Sequence, residues 1–375
     1  MEKTISVSRV SLFGEGVGSD SEGNIYFIPR TIPGDTVRVS IVSQDKKYFE
    51  CELLEVVSPS PARVESPCLY FHQCGGCDWL HWNYSDQLKG KQEVLEHAME
   101  RKSLAPDKIL PILGAEQPLF YRNRVQLRVT DGKIGFFKKK SHELIDIKEC
   151  KIAQPAINEA IRKLRDSTAL KSDLMQKLEL YVHESGEVKT VKNAAHAIEG
   201  FRQINEEQNG RLQKCVADYV KASRSEKVLE LFCGNGNLTF AYQNLVKELI
   251  AIDASEAAIE QAKLKRKTLG TDSSDHHTAF ICQSVDASIN RKLPPEFREH
   301  YDTLIIDPPR SGLQGALNRI VHQQLKHIIY ISCSLQSFSQ DVQCLKKYFR
   351  FEEVQPIDMF PQTRHIEFVA KFSRL

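Results

Sequence analysis

Over the first sixty residues, apolar positions come in short runs broken by turn residues. Gly14, Gly16 and Gly18 interrupt one run, residues 24–28 alternate, Pro33-Gly34-Asp35 marks a turn before 37–42, and 48–57 follows. Several such runs in so short a stretch predict a small β-barrel, with Ser58-Pro59-Ser60-Pro61 as its exit. Between 85 and 101 the spacing becomes helical, with Asp86 near the start. Residues 120–150 alternate again, Val125, Leu127 and Val129 sharing a face, before a helix at 156–165 and strands at 178–182 and 188–191. From 211 onward strands alternate with helices: 227–232, 248–253, 279–283, 303–307, 328–332, and a closing pair near 349–358 and 367–372. That rhythm predicts a doubly wound α/β sheet whose ligands bind at the strands' carboxyl ends. The pattern divides into domains at 1–60, 61–205 and 206–375.

Composition narrows the class. The chain has 375 residues, 51 Lys+Arg against 49 Asp+Glu, 41% hydrophobic and 27% charged residues. Such a chain is globular, not wholly disordered or membrane-embedded. No apolar run reaches the ~18–20 residues of a spanning helix, and the N-terminus lacks a signal peptide's apolar core. A cytoplasmic protein without membrane partners is expected. The net charge of +2 argues against a purely electrostatic nucleic-acid coat but allows a local basic face. Arg122, Arg124 and Arg128 share one strand face, and Lys138-Lys139-Lys140 forms a run; both are candidate RNA contacts or plain solvated faces. Phe13, Tyr26 and Phe27 could stack bases or fill the barrel.

Ten cysteines in a chain without an export signal should be reduced. Cys68, Cys74 and Cys77 form C-x5-C-x2-C around Gly75-Gly76, and Cys150 is the best placed fourth ligand. The spacing fits zinc and an iron–sulfur cluster alike. Cys51, Cys215, Cys282 and Cys344 sit singly among apolar residues, where core packing is the default.

Residues 228–237, Val-Leu-Glu-Leu-Phe-Cys-Gly-Asn-Gly-Asn, read as an apolar strand, a glycine turn and the start of a helix. Gly234 and Gly236 permit close ligand approach, and the helix N-terminus offers free N–H donors. Asp253, ending the next strand, suits ribose hydroxyls. Together these look like a class I, Rossmann-like S-adenosylmethionine methyltransferase. Asp286 would contact adenine or serve as a loop carboxylate. Asp307, in Asp-Pro-Pro-Arg, ends a buried strand in a rigid turn. Cys333 ends the next strand at the cleft, where a base or dipole can favour its thiolate. Glu367 opens the last strand and can point into the same cleft. One cysteine and one carboxylate supply the two groups that C5 methylation of a pyrimidine needs: a thiolate to add at C6, and a base to remove the C5 proton.

The whole chain resembles the RNA 5-methyluridine methyltransferases of the bacterial ribosomal type (RumA/RlmD-like). The resemblance implies a TRAM, OB-like barrel at 1–58, a central α+β iron–sulfur domain and the methyltransferase domain. It implies a 4Fe–4S cluster on Cys68, Cys74, Cys77 and Cys150, with Cys333 as nucleophile and Glu367 as general base. Phe232, Gly234, Asp253 and Asp307 are the implied cofactor residues, joined by Gln203 of the Phe201-x-Gln203-x-Asn205 segment. Ser334, Gln362 and Asp253 depart from the family's usual Asn, His and Glu but leave every role filled. The implied substrate is a flipped-out uridine of 23S rRNA, with the tRNA T-loop as the alternative, acted on by a monomer without DNA as a partner. Of the rivals, a 5-methylcytosine enzyme would carry a second cysteine where this chain has Arg310. An amino-group methyltransferase or a non-catalytic scaffold would leave Cys333 and Glu367 idle.

Overall fold

The computed structural model describes residues 1–139, 141–166, 175–192, 202–270, 276–285, 293, 298, 300–313 and 315–375. Two compact units emerge: one of residues 1–97, 114–195 and 360–365, the other of 98–113, 196–359 and 366–375.

The first unit begins with a closed barrel. Strands β1 (Glu2–Val10), β2 (Gly16–Ser19), β3 (Ile25–Ile28), β4 (Thr36–Asp45) and β5 (Tyr48–Ser58) close in the order β1-β2-β3-β5-β4. Alternation sends Ile5, Val7, Tyr26, Ile28, Val37, Val39 and Phe49 inward, and Tyr26 stacks on Phe49 at 4.9 Å between centroids. Tyr26 is therefore core, while Phe13 is 66% exposed. The Pro33-Gly34-Asp35 turn uses a glycine at φ +91°. Its buried Asp35 accepts from the Ile32 and Ser60 amides, both at 2.9 Å, and pairs with Arg63. Those bonds fix the exit from the barrel.

Helix α1 (Tyr84–Arg101) follows and carries the chain into the second unit, where β6 (Lys108–Ile109) lies. Back in the first unit, β7 (Arg124–Thr130), β8 (Lys133–Phe137), β9 (Leu144–Asp146), β10 (Gln176–Val182) and β11 (Val188–Lys192) form an antiparallel sheet ordered β11-β10-β7-β8-β9. Helix α2 (Pro155–Asp166) buries Ile157 and Ile161 against Val125, Leu127, Val129 and Ile134 of that sheet. The loop 360–365 belongs to this unit too. Gln362, at φ +67° and buried, is held by an amide pair in which Gln87 Nε2 donates to its Oε1 at 2.9 Å and Gln87 Oε1 accepts its N–H at 3.2 Å. A glutamine at this position thus has a structural role.

The second unit is the doubly wound sheet. Its elements are α3 (Glu206–Ser223), β12 (Lys227–Leu231), α4 (Thr239–Tyr242), β13 (Glu248–Asp253), α5 (Glu256–Leu269), β14 (His277–Cys282), β15 (Thr303–Ile306), α6 (Leu317–Ile320), β16 (His327–Ser332), α7 (Leu335–Asp341), β17 (Phe349–Ile357) and β18 (Glu367–Arg374). Eight strands run in the order β14-β13-β12-β15-β16-β18-β17-β6. The pairings from β14 through β16 are parallel, and β18 lies antiparallel to both β16 and β17. Strand order reverses between β12 and β15, and a crevice opens at such a switch point. Asn205 caps α3, its side chain accepting from the Gln208 amide at 3.2 Å. Among the described residues no helix is long and apolar enough to cross a membrane.

Candidate active site and thiol cluster

The crevice is built from strand ends. After β12 the chain passes through Phe232 at φ +64°, Gly234 at +55° and Gly236 at +84°. A methyl group at Gly236 would come within 2.4 Å of the Phe240 ring, whereas at Gly234 it would meet nothing within 4 Å. Gly236 therefore permits the tight turn, and Gly234 faces open space that a ligand can enter. Asp253 joins the turn to the next strand: its Oδ2 accepts the Gly234 N–H at 2.9 Å and its Oδ1 the Ser255 N–H at 2.8 Å. The turn also docks on α3 through reciprocal Asn209–Asn237 amide bonds at 2.9 Å and a Gln213 bond to the Asn237 carbonyl at 2.8 Å. Neither Asn209 nor Gln213 is marked in the sequence, because each gains meaning only from the turn it meets. Beneath it, buried Glu230 accepts from Thr239 Oγ1 at 2.7 Å and Tyr242 OH at 2.5 Å, and burial raises its pKa to about 7. Gln203 is buried ahead of α3. Phe201 and Asp286 lie outside the described residues, as does Lys140.

Three reactive groups meet on the other side of the switch point. Ser332 of β16 stands opposite Phe368 of β18, so the antiparallel register brings Cys333 opposite Glu367 at the rim. Asp307 leaves β15 with its amide donating to the Leu231 carbonyl at 3.3 Å. Glu367 is 4% exposed. Burial, reinforced by Asp307, raises its pKa to about 8, and burial raises that of Asp307 to about 7. The partly buried Cys333 thiol is pushed up by burial and by Glu367, while the Arg310 guanidinium favours the thiolate. Arg310 thus has a place in the cleft that the sequence marks only through its Asp-Pro-Pro-Arg context. Ser334 accepts the Ser337 amide at 3.4 Å and caps α7, a role open to Asn as well.

Cys68, Cys74, Cys77 and Cys150 gather in the first unit, close enough for their charges to interact. Burial first, and mutual repulsion second, pushes Cys74 up to about 11 and Cys77 well above the ordinary thiol value. The Gly76 N–H donates to Cys74 Sγ at 3.4 Å, and Arg122 favours the ionised forms of Cys77 and Cys150. Four soft donors with an amide and a guanidinium beside them suit a centre bound through thiolate sulfur. Among the described residues no group of three or more His, Cys, Asp or Glu is arranged to hold one metal ion.

The expected basic face is largely committed elsewhere. Arg124 pairs with buried Glu179 at 2.5 Å, and Arg128 stacks over Phe137 at 5.4 Å. Of the single cysteines, Cys51 is buried and Cys282 is exposed at the end of β14, so core packing does not account for the latter.

Residues 176–374 match the tRNA (uracil-5-)-methyltransferase family. Over 98% of its length the chain is 28% identical to an RNA methyltransferase of Bdellovibrio bacteriovorus, covering 94% of that protein. It is 25% identical to the 23S rRNA (uracil(1939)-C(5))-methyltransferase RlmD of Histophilus somni, covering 99% of this chain and 96% of that one. The crystal structure of Pyrococcus abyssi tRNA (uracil-54, C5)-methyltransferase, in complex with S-adenosyl-L-homocysteine, superposes with a TM-score of 0.74 at 22% identity, covering 99% of this chain and all of that one.

Proposed function

The chain belongs to the tRNA (uracil-5-)-methyltransferase family, and on that premise we propose that Cys333 and Glu367 carry out C5 methylation of a specific uridine in 23S rRNA. The enzyme methylates uridine in RNA at C5 with S-adenosylmethionine as methyl donor. The pairing of thiol and carboxylate across the β16–β18 register carries the residue assignment. Cys333, its thiolate favoured by Arg310, adds to C6 of the flipped uracil, and the electron pair moves onto C5 and O4. S-adenosylmethionine supplies the electrophilic methyl group that C5 takes. Glu367 then removes the C5 proton, and the C6–S bond breaks to return the thiolate. Phe232, Gly234 and Asp253 line the donor's place, with Gln203 and Asp307 at its border. The likenesses to the Histophilus 23S rRNA enzyme and to the Pyrococcus tRNA enzyme each span 99% of this chain, and the higher identity to the former, 25% against 22%, is what favours 23S rRNA in this proposal.

The division into barrel, central and methyltransferase domains is part of the same reading, the barrel corresponding to a TRAM domain. Cys68, Cys74, Cys77 and Cys150 would hold a 4Fe–4S cluster, which has more than one metal and so does not need the thiols packed round a single ion. Bound there, it would tie the loop 68–77 to Cys150. The methyl transfer uses no electron from it.

Position-resolved mass spectrometry of RNA from a strain lacking the protein tests the function. Loss of 5-methyluridine at one 23S site is expected; loss in the T-loop reassigns the RNA, and unchanged RNA overturns the proposal. Cys333→Ala should form no covalent RNA adduct, and a persistent adduct would move the nucleophile elsewhere.

A further inference from the structure

Arg310 is exposed, and its guanidinium charge favours the Cys333 thiolate, so the placement of its turn bears on the thiol. Residues 309–312 form a tight turn in which the Gly312 N–H donates to the Pro309 carbonyl at 2.8 Å. The next amide, Leu313 N–H, donates to Asp341 Oδ2 at 2.8 Å. That same oxygen accepts the Tyr330 hydroxyl at 2.6 Å. Tyr330 is fully buried in β16, three residues before the nucleophile, and Asp341, 6% exposed, ends the helix that starts two residues after it. The fit is close: Gly312 sits at φ +70°, and a methyl group there would come within 2.5 Å of Asp341 Oδ2 and 2.9 Å of Ser337 Cβ. One carboxylate oxygen therefore joins the turn carrying Arg310 to the strand carrying Cys333.

We propose that Asp341 is a positioning residue: its two hydrogen bonds hold the Arg310 turn against the Cys333 strand and thereby set how readily the thiol ionises. The inference rests on Cys333 being the nucleophile. The charged and titratable groups around the thiol are Arg310 and Asp307 from the turn after β15, Glu367 from β18 and Tyr330 from its own strand. Asp341 does not act on the base or the donor. Its part is to keep the single cation of this set in reach of the sulfur.

The test is made on the full-length protein with Asp341→Asn, Tyr330→Phe and, as reference, Arg310→Ala. The pH dependence of Cys333 alkylation by iodoacetamide, read on its own peptide by mass spectrometry, reports the thiol without any RNA. Asp341→Asn should move the alkylation midpoint upward, in the same direction as Arg310→Ala, by about half a unit or more. The double variant should move it no further. With RNA, kcat should fall roughly 10–100-fold with a much smaller change in KM. A lower Tm with an unmoved alkylation profile would reduce Asp341 to a structural residue and overturn the proposal. If Asp341→Asn does not fold, Tyr330→Phe and Gly312→Ala give the same reading, and an unmoved profile in both overturns it. Full activity in Cys333→Ala would instead sink the nucleophile assignment, an outcome the RNA-free measurement keeps separate.

Discussion

Asp307 and Glu367 hold more protons in the folded protein than two free carboxyl groups would. Burial raises both, and Asp307 adds to the rise at Glu367. Ionising the second acid places two negative charges in one low-dielectric site, so the pair holds its last proton to higher pH than either acid would alone. A base must be unprotonated, so the rate should rise with pH through about 7–8. The stability consequence has the opposite sign. Folded pKa values above the unfolded ones mean the native state binds extra protons, so stability present at acid pH is lost as pH climbs from about 4.5 toward 8. Glu367→Gln removes that cost. It should be inactive, yet at pH 8.5 more stable than the parent by on the order of 1–3 kcal/mol, with little difference at pH 5. Denaturant titrations at the two pH values check this, and equal differences at both would contradict it. Cys333, Asp307 and Glu367 were legible in the sequence because each closes or opens an apolar strand beside a turn. Arg310's effect on the thiol and Asp341's bonds were not, since both involve residues far apart in the chain.

At the level of elements, register decides what meets what. A shift of one residue between β16 and β18 would turn Glu367 away from Cys333, since neighbouring side chains on a strand face opposite sides. The buried run of β18 holds that register: Glu367 through Ala370 all lie inside. The cysteine loop depends on placement too. C-x5-C-x2-C marks three thiols, while Cys150 is held beside them by Asn158 of α2, which accepts its amide at 2.8 Å and donates to its carbonyl at 3.0 Å, and by the Ala153 amide at 3.1 Å. On the proposed cluster reading, anaerobically purified protein should be brown with absorption near ~400 nm. Cys150→Ser should lose the colour, and its Tm should drop because the tie to the loop 68–77 is gone. A colourless, zinc-loaded parent would refute the cluster. Arg124 and Arg128 share a face of β7, Arg124 engaged by Glu179 and Arg128 by Phe137, while Arg122 precedes the strand. A strand pattern reports the face and leaves out the neighbouring strand that covers it.

Over the whole molecule, the chain passes between its two units at 97/98, 113/114, 195/196, 359/360 and 365/366. The unit with the eight-stranded sheet is thus assembled from three separate segments, and only one of them, 196–359, contains the glycine turn. Binding of S-adenosylhomocysteine should stabilise that unit by about 2.7 kcal/mol at a hundredfold excess over Kd, seen as a rise in its calorimetric transition. Gly236→Ala should abolish most of the shift, because its methyl group meets Phe240 and its φ disfavours any side chain. An undiminished shift would place the donor elsewhere.

The sequence by itself determined the local and periodic features. These are the barrel strands, the α/β alternation, the glycine turn, the strand-end Asp307 and Cys333, and three cysteines spaced in one loop. They are written in neighbouring residues, where dihedral preference and the period of burial act. Tertiary structure decided which of them share a site. It set the β16–β18 register that pairs thiol with carboxylate, the burial that raises both acids, the amide clasp around Gln362, and the Asp341 oxygen joining two strand ends. Such features depend on distances between remote segments, and those distances exist only once the sheets are packed.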